Sequence, residues 1–217
     1  MTHALHPVDT CILSVNVSGI RPLHYQNDAV YTGILKSPAH GRVAVRGVNL
    51  HGDDQADRSV HGGPDRALYA YAIEDYRWWA TELGQKLPAG KFGENLTLQG
   101  VDVSGALIGE RWRAGNAVLK ITAPRLPCYK LAMTMGDAAF VKRFSQAGRP
   151  GAYLSIVAEG DLAAGDDVAI LSRPAHGLTI AAMFHIVLFE RGRLPELLVP
   201  DLPSSWRVWV EEQLAHS

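Results

Sequence analysis

Up to residue 173 the chain is built from short runs in which apolar and polar residues alternate, separated by glycine- and proline-bearing turns. Period-two alternation with β-branched content is the signature of half-buried strands. By that criterion residues 11–17, 30–36, 42–48, 67–72, 110–114, 118–122, 151–157 and 167–171 are strands. Gly115-Asn116 marks a hairpin turn between two of them. Residues 74–83 read instead as an amphipathic helix, acidic at its start and stopped by Gly84, and a second helix is expected near 137–144. The turns around the last two strands are placed at Glu159-Gly160-Asp161 and Ala164-Gly165-Asp166.

After Pro174 the pattern becomes helical. Thr179 is a candidate cap for 180–189, a short segment at 194–199 is bounded by Pro195 and Pro200, and Ser204 or Ser205 would cap 206–214. The expected division is therefore 10–173 and 174–217. Eight short strands with few helices predict an α+β protein, mainly β, built on a closed or partly closed barrel. A helical tail of some forty residues is too small to bury its own core, so it should pack on the barrel or a partner.

Composition narrows the classes of function. With 47% apolar and 20% charged residues the chain is an ordinary globular protein, and 21 basic against 22 acidic residues leave a net charge of −1. No global field recruits nucleic acid or an anionic membrane. No apolar run reaches the length of a bilayer span, and residues 1–7 lack the cationic and apolar segments of a secretion signal, so a cytoplasmic location is expected. In that compartment Cys11 and Cys128 are expected to stay reduced, Cys11 as a plain strand residue.

The segment that stands out chemically is Ala123-Pro124-Arg125-Leu126-Pro127-Cys128-Tyr129-Lys130. Two prolines stiffen it, and Cys128 would fall near the first turn of a helix, with Arg125 and Lys130 close by. Each influence favours thiolate, the nucleophilic and metal-binding form. A buried structural cysteine is the competing reading, though such a residue needs neither the prolines nor the cations. A long polar loop, residues 50–66, contains His61-Gly62-Gly63, whose glycines would let backbone N–H groups approach an anion; Gly-Gly-Pro-Asp is equally a plain turn. His51, Asp53, Asp57 and His61 could ligate a metal, but their spacing matches no tight site. Gly93-Glu94-Asn95 could fix a polar ligand or form an Asx-capped turn. Tyr76, Trp78 and Trp79 read as packing residues, and Lys36 and Arg42 as solvated strand ends.

Three segments in this order, Gly52-Asp53-Asp54-Gln55-Ala56-Asp57 with His61-Gly62-Gly63-Pro64-Asp65, then Phe92-Gly93-Glu94-Asn95-Leu96, then Pro124-Arg125-Leu126-Pro127-Cys128-Tyr129-Lys130-Leu131, resemble the motifs of the MOSC domain family. The likeness runs over about residues 10–215 and is greatest to the stand-alone, YiiM-like bacterial branch associated with resistance to hydroxylaminopurine, which carries a three-helix C-terminal appendage. The resemblance implies a β-barrel that binds the molybdenum cofactor, a pterin dithiolene with a terminal phosphate. Cys128 matches the family cysteine, implied as catalytic residue and molybdenum ligand. His61, Gly62, Gly63 and Asn95 would line the cofactor pocket, Arg125 and Lys130 would offset its charge, and Asp57 would orient His61, bind the pterin, or serve only as a turn residue. The implied reaction is reduction of N-hydroxylated bases and related N-hydroxyl compounds to amines, with electrons from a separate reductase. Homodimer formation is left open. A sulfur carrier or molybdenum-cofactor-binding module with a persulfide on Cys128 is the alternative, and a Cys128–His61 hydrolase a third reading.

Overall fold

In a computed structural model, residues 10–25, 28–56 and 62–216 are described. The chain runs β1 (Cys11–Val17), β2 (Arg21–Tyr25), β3 (Asp28–Thr32), β4 (Ser37–Pro38), β5 (Val43–Arg46), β6 (Asn49–Leu50), β7 (Leu68–Ala72), α1 (Ile73–Leu83) and β8 (Leu96–Gln99). It continues through β9 (Arg111–Ala114), β10 (Ala117–Pro124), α2 (Tyr129–Met135), α3 (Phe140–Ala147), β11 (Ala152–Ala158), β12 (Gly160–Leu162) and β13 (Val168–Ser172). The C-terminal part holds α4 (Ile180–Phe189), a 3₁₀ segment (Arg191–Leu197) and α5 (Ser204–Ala215). The fold is mixed α+β, as expected.

Eight strands form one sheet in the order β13-β9-β10-β11-β7-β8-β1-β4. The pairing is antiparallel except between β7 and β8, which α1 joins as a crossover, and parallel pairs need such a connection. The sheet curls until its far strands meet: Cys11 bridges Asp167, Ile12 N–H donates to Asp166 O at 2.9 Å and Val168 N–H to Thr10 O at 3.0 Å. This short seam brings β13 against β1, the strand beside the β4 edge, so the sheet is at least partly closed. The turn at Gly115 sits at φ 55°, and a Cβ there would lie 2.6 Å from Asp161 O, so the hairpin tip needs glycine.

Several boundaries differ from the sequence reading. The segment Arg21–Tyr25 is a strand paired with Asp28–Thr32 in a separate two-stranded ribbon. Its Pro22 hides the strand from pattern reading and is tolerated because the ribbon is all edge. The strand expected over 30–36 ends at Thr32, because Gly33 packs so closely on Asp54 that a Cβ would lie 2.1 Å from its carbonyl oxygen. Ile34 and Lys36 therefore turn inward. Residues 160–162 pair with β5 instead of forming a plain turn. Helix α3 starts at Phe140, since the Asp137 carboxylate accepts the Ala139 N–H at 2.8 Å and holds the preceding residues in a turn. Thr179 caps α4 through the Ala182 N–H at 3.0 Å, whereas Ser204 and Ser205 lie inside α5, whose cap position is Pro203.

Two cores result. The larger gathers the inward faces of the sheet with Ile180, Met183, Ile186, Leu194, Leu197, Trp206 and Val210, so the helical tail shares the barrel's apolar core. The smaller is aromatic: Tyr71, Tyr76, Trp79, Phe92, Phe140, Phe144 and Phe184 pack under α1, α2 and α3. Tyr76 and Trp79 are thus packing residues, and Trp78 packs against the cluster. No helix among the described residues is long and apolar enough to cross a membrane.

Candidate functional site

Pro127 precedes the N-cap of α2, and the N-cap is Cys128 itself, extended at φ −134°, ψ 168°. Its thiol makes no capping hydrogen bond to the helix, whose first bond runs from the Leu131 N–H to the Cys128 carbonyl at 3.0 Å. Cys128 is half-buried, and no disulfide joins it to Cys11. It opens onto a narrow cleft, about 100 Å³, whose walls include Gly33, Lys36, Asp53, Gln55, Arg66, Tyr69, Gly93, Asn95, Arg125, Lys130 and Tyr153.

Hydrogen bonds lock the three sequence motifs together around that cleft. Arg125, only 5% exposed, donates through Nη1 to Phe92 O. Its guanidinium also stacks over the Tyr69 ring, 5.2 Å from the centroid. Asn95 is committed on every side: Oδ1 accepts the Tyr69 N–H at 3.0 Å, while Nδ2 donates to Asn16 O at 3.2 Å and Asp53 Oδ2 at 2.9 Å. Asp53 in turn accepts the Ser18 N–H at 2.8 Å and ion-pairs with Lys36. Asn95 therefore acts on the cleft through Asp53 and the strand it braces.

The electrostatics follow from burial. Desolvation lowers the Lys36 pKa, with Asp53 acting against it. Desolvation also opposes the Arg125 charge, yet Tyr69, Tyr153 and Cys128 outweigh it and the pKa ends above the ordinary value. Burial raises the phenols of Tyr69 and Tyr153, keeping both protonated at neutral pH. Tyr69 Oη spends its proton on Pro150 O at 2.7 Å.

Cys128, Asn95, Arg125 and Lys130 thus share one cleft. Gly62 and Gly63 are half-buried at the approach to the 3₁₀ turn Pro64–Arg66, outside the cleft wall; Gly63 takes φ 92°, as a glycine anticipates, with open space where a Cβ would stand. Asp57 and His61 lie outside the described residues. Among the described residues no group of three or more His, Cys, Asp or Glu could hold a metal, His51 is exposed, and Asp53 is used by Lys36 and Asn95. Arg42 is a solvated end, paired with Asp161 and Asp166. Lys36 is not: the inward turn after Gly33 buries it, a consequence of a backbone approach that residue patterns do not encode.

The residues present fit a pterin dithiolene cofactor. Cys128 would supply a soft ligand, and Lys36, Arg66, Arg125 and Lys130 would supply positive charge for a phosphate. Gln55, whose Nε2 is held by Arg66 O at 2.8 Å, leaves a buried Oε1 with no hydrogen-bond partner, an acceptor suited to pterin N–H groups.

A second cavity adjoins the first at Cys128. It is wider, about 430 Å³, and is lined by Arg66, Pro124, Leu126, Pro127, Cys128, Tyr153, Ser205, Trp206 and Trp209.

Comparison with known proteins agrees with this architecture. The MOSC domain profile matches residues 57–169. The chain is 37% identical over 200 residues to the uncharacterized protein YflK of Bacillus subtilis, with 90% of each chain covered. The crystal structure of YiiM from Geobacillus stearothermophilus superposes with a TM-score of 0.77 at 30% identity, covering 94% of this chain and 99% of that one. A protein named "Reductase" from Gibberella moniliformis is 30% identical over 149 residues, which are 67% of this chain but 26% of that protein.

Proposed function

The chain belongs to the MOSC domain family, and from that premise we propose that it binds the molybdenum cofactor through Cys128 and reduces N-hydroxylated bases and related N-hydroxyl compounds to amines. The observation that carries this reading is the meeting of a half-buried thiol, four cationic side chains and an unpartnered amide oxygen in one cleft built from three family-like motifs. MOSC domains as a class are associated with that cofactor, and the Gibberella moniliformis protein named "Reductase" is similar to this chain over 149 residues.

The reaction balances as R–NHOH plus two electrons and two protons giving R–NH₂ and water, with the N–O bond broken. The cofactor, when bound, supplies the two-electron chemistry and the oxygen acceptor. The protein's part is positioning and electrostatics. Cys128 would hold the metal, Arg125 and Lys130 would balance cofactor charge beside it, Gln55 Oε1 would accept a pterin N–H, and Lys36 would be a phosphate partner held by Asp53. Asn95 is a positioning residue. Tyr153, whose phenol burial keeps neutral, lines the same cleft as Cys128 and would be a proton-bearing group there. Two cysteines are too few for a four-thiolate iron–sulfur cluster within these 217 residues, and a separate reductase would be the electron donor.

The test is amine formation from phenylhydroxylamine by cofactor-loaded protein with reduced methyl viologen as donor. One amine per two electrons is expected, with Cys128→Ala slower by at least about a hundredfold. Full activity in Cys128→Ala overturns the ligand assignment.

A further inference from the structure

Cys128 stands at the wall between two cavities of different character. The narrow cleft carries Lys36, Arg66, Arg125 and Lys130 with Asp53 and Asp54, and suits a charged, polar occupant. In the wider recess Arg66 is the single ionic side chain among the described lining residues, and the remaining described walls are two prolines, Leu126, Tyr153, Ser205 and two tryptophans. Arg66, Leu126, Cys128 and Tyr153 line both.

We infer that the recess is the substrate subsite, and that it selects flat, uncharged aromatic amines and N-hydroxylamines by stacking them against α5. This rests on the proposed reductase reading and assigns the C-terminal helix a part in it. The recess volume of about 430 Å³ falls in the range of ligand pockets, which are mostly apolar with a few polar groups. Trp206 and Trp209 meet edge to face, with centroids 5.4 Å apart at 81°, so the pair offers both a ring face and a ring edge. Trp206 is anchored in the core at 8% exposure, whereas Trp209 is half-buried and has surface left to cover. Pro124, Leu126 and Pro127 add stiff walls without backbone donors at the prolines. Arg66 lies 5.9 Å from the Tyr153 ring centroid, and both residues line both cavities, which places its charge where the two meet. An aromatic ring in this slot would bring an exocyclic nitrogen toward Cys128, on the side where the cofactor would stand. A small aliphatic N-hydroxyl compound gains little from these walls.

Calorimetric titration of the full chain with adenine, a neutral flat amine, tests the subsite without any turnover. Wild type should bind saturably at one site. Trp209→Ala should weaken binding about tenfold or more, and Trp209→Phe, which restores a ring, should return to within about threefold. Molybdenum content and melting temperature report whether the variants keep the cleft and the fold. Should Trp209→Ala fail to fold, the Trp209→Phe and Leu126→Ala variants carry the comparison, the latter also weakening binding. Equal adenine affinity in all variants, or no binding by wild type, overturns the inference. Adenine binding in a protein that reduces no N-hydroxyl compound would leave the recess standing and defeat the reductase reading; turnover without adenine binding would do the reverse.

Discussion

Arg125 and Tyr69 stack with the guanidinium carbon 5.2 Å from the ring centroid, and the same guanidinium reaches the carbonyl of Phe92. One buried cation thereby ties the segment that presents Cys128 to the loop carrying Glu94 and Asn95. Replacing Arg125 with Met leaves the Phe92 carbonyl unpaired and should cost about 1–3 kcal/mol of stability. Arg125→Lys should recover only part of it, because an ammonium lacks the planar fork that stacks and bonds at once. Urea denaturation of the two variants measures both effects.

The Lys36–Asp53 pair has side chains only 8% and 2% exposed. Removing one partner strands the other charge in the protein, so Asp53→Ala should lose about 3–5 kcal/mol. Lys36→Met combined with Asp53→Ala should be less damaging than Asp53→Ala alone, since no charge is then left uncompensated. A double-mutant cycle by denaturant unfolding gives the coupling.

Much of the scaffold was legible because it depends on local pattern. The alternation of β1, β9 and β10, the Gly115-Asn116 hairpin, the α1 stop at Gly84 and the Thr179 cap all rest on residues within one turn or strand of each other. The Cys128 segment stood out for the same reason, its prolines and cations being neighbours in sequence. The remainder depends on long-range approaches. Lys36 reads as a solvated strand end until Gly33 is seen against Asp54, and the bonds from the Asn95 amide to Tyr69, Asn16 and Asp53 join residues far apart in sequence. The two tryptophans of α5 share a cavity with Cys128 only because the helical tail docks beside β10, a contact no spacing could announce.

Glu94 is fully buried, with Oε1 accepting from Tyr76 Oη, Thr97 Oγ1 and Gly90 N–H while Oε2 has no partner. Burial raises its pKa above the ordinary 4.5, with those hydrogen bonds acting the other way. A carboxyl whose folded pKa is raised stabilises the protein fully below its unfolded value and loses that contribution as pH rises through the folded value. Glu94→Gln keeps the acceptor and removes the titration. The stability of wild type relative to Glu94→Gln should therefore fall as pH rises from 4.5 through the raised value. Melting curves across that window check the sign, and a difference independent of pH would count against it.

Truncation after Pro174 would strip Ile180, Met183, Ile186 and Val187 from the shared core. The shortened chain should bind a hydrophobic dye and aggregate; a truncated chain as soluble and as heat-stable as the full one would show that the barrel core closes without the tail.

Whether Cys128 presents a cofactor site is decided by molybdenum content together with pterin fluorescence, on protein made in cofactor-competent cells, wild type beside Cys128→Ser. Near-stoichiometric molybdenum and pterin in wild type, with content or spectrum altered in Cys128→Ser, is the expected result. Wild-type protein carrying neither would contradict it, and a persulfide found on Cys128 in that protein would assign the cleft to sulfur transfer instead.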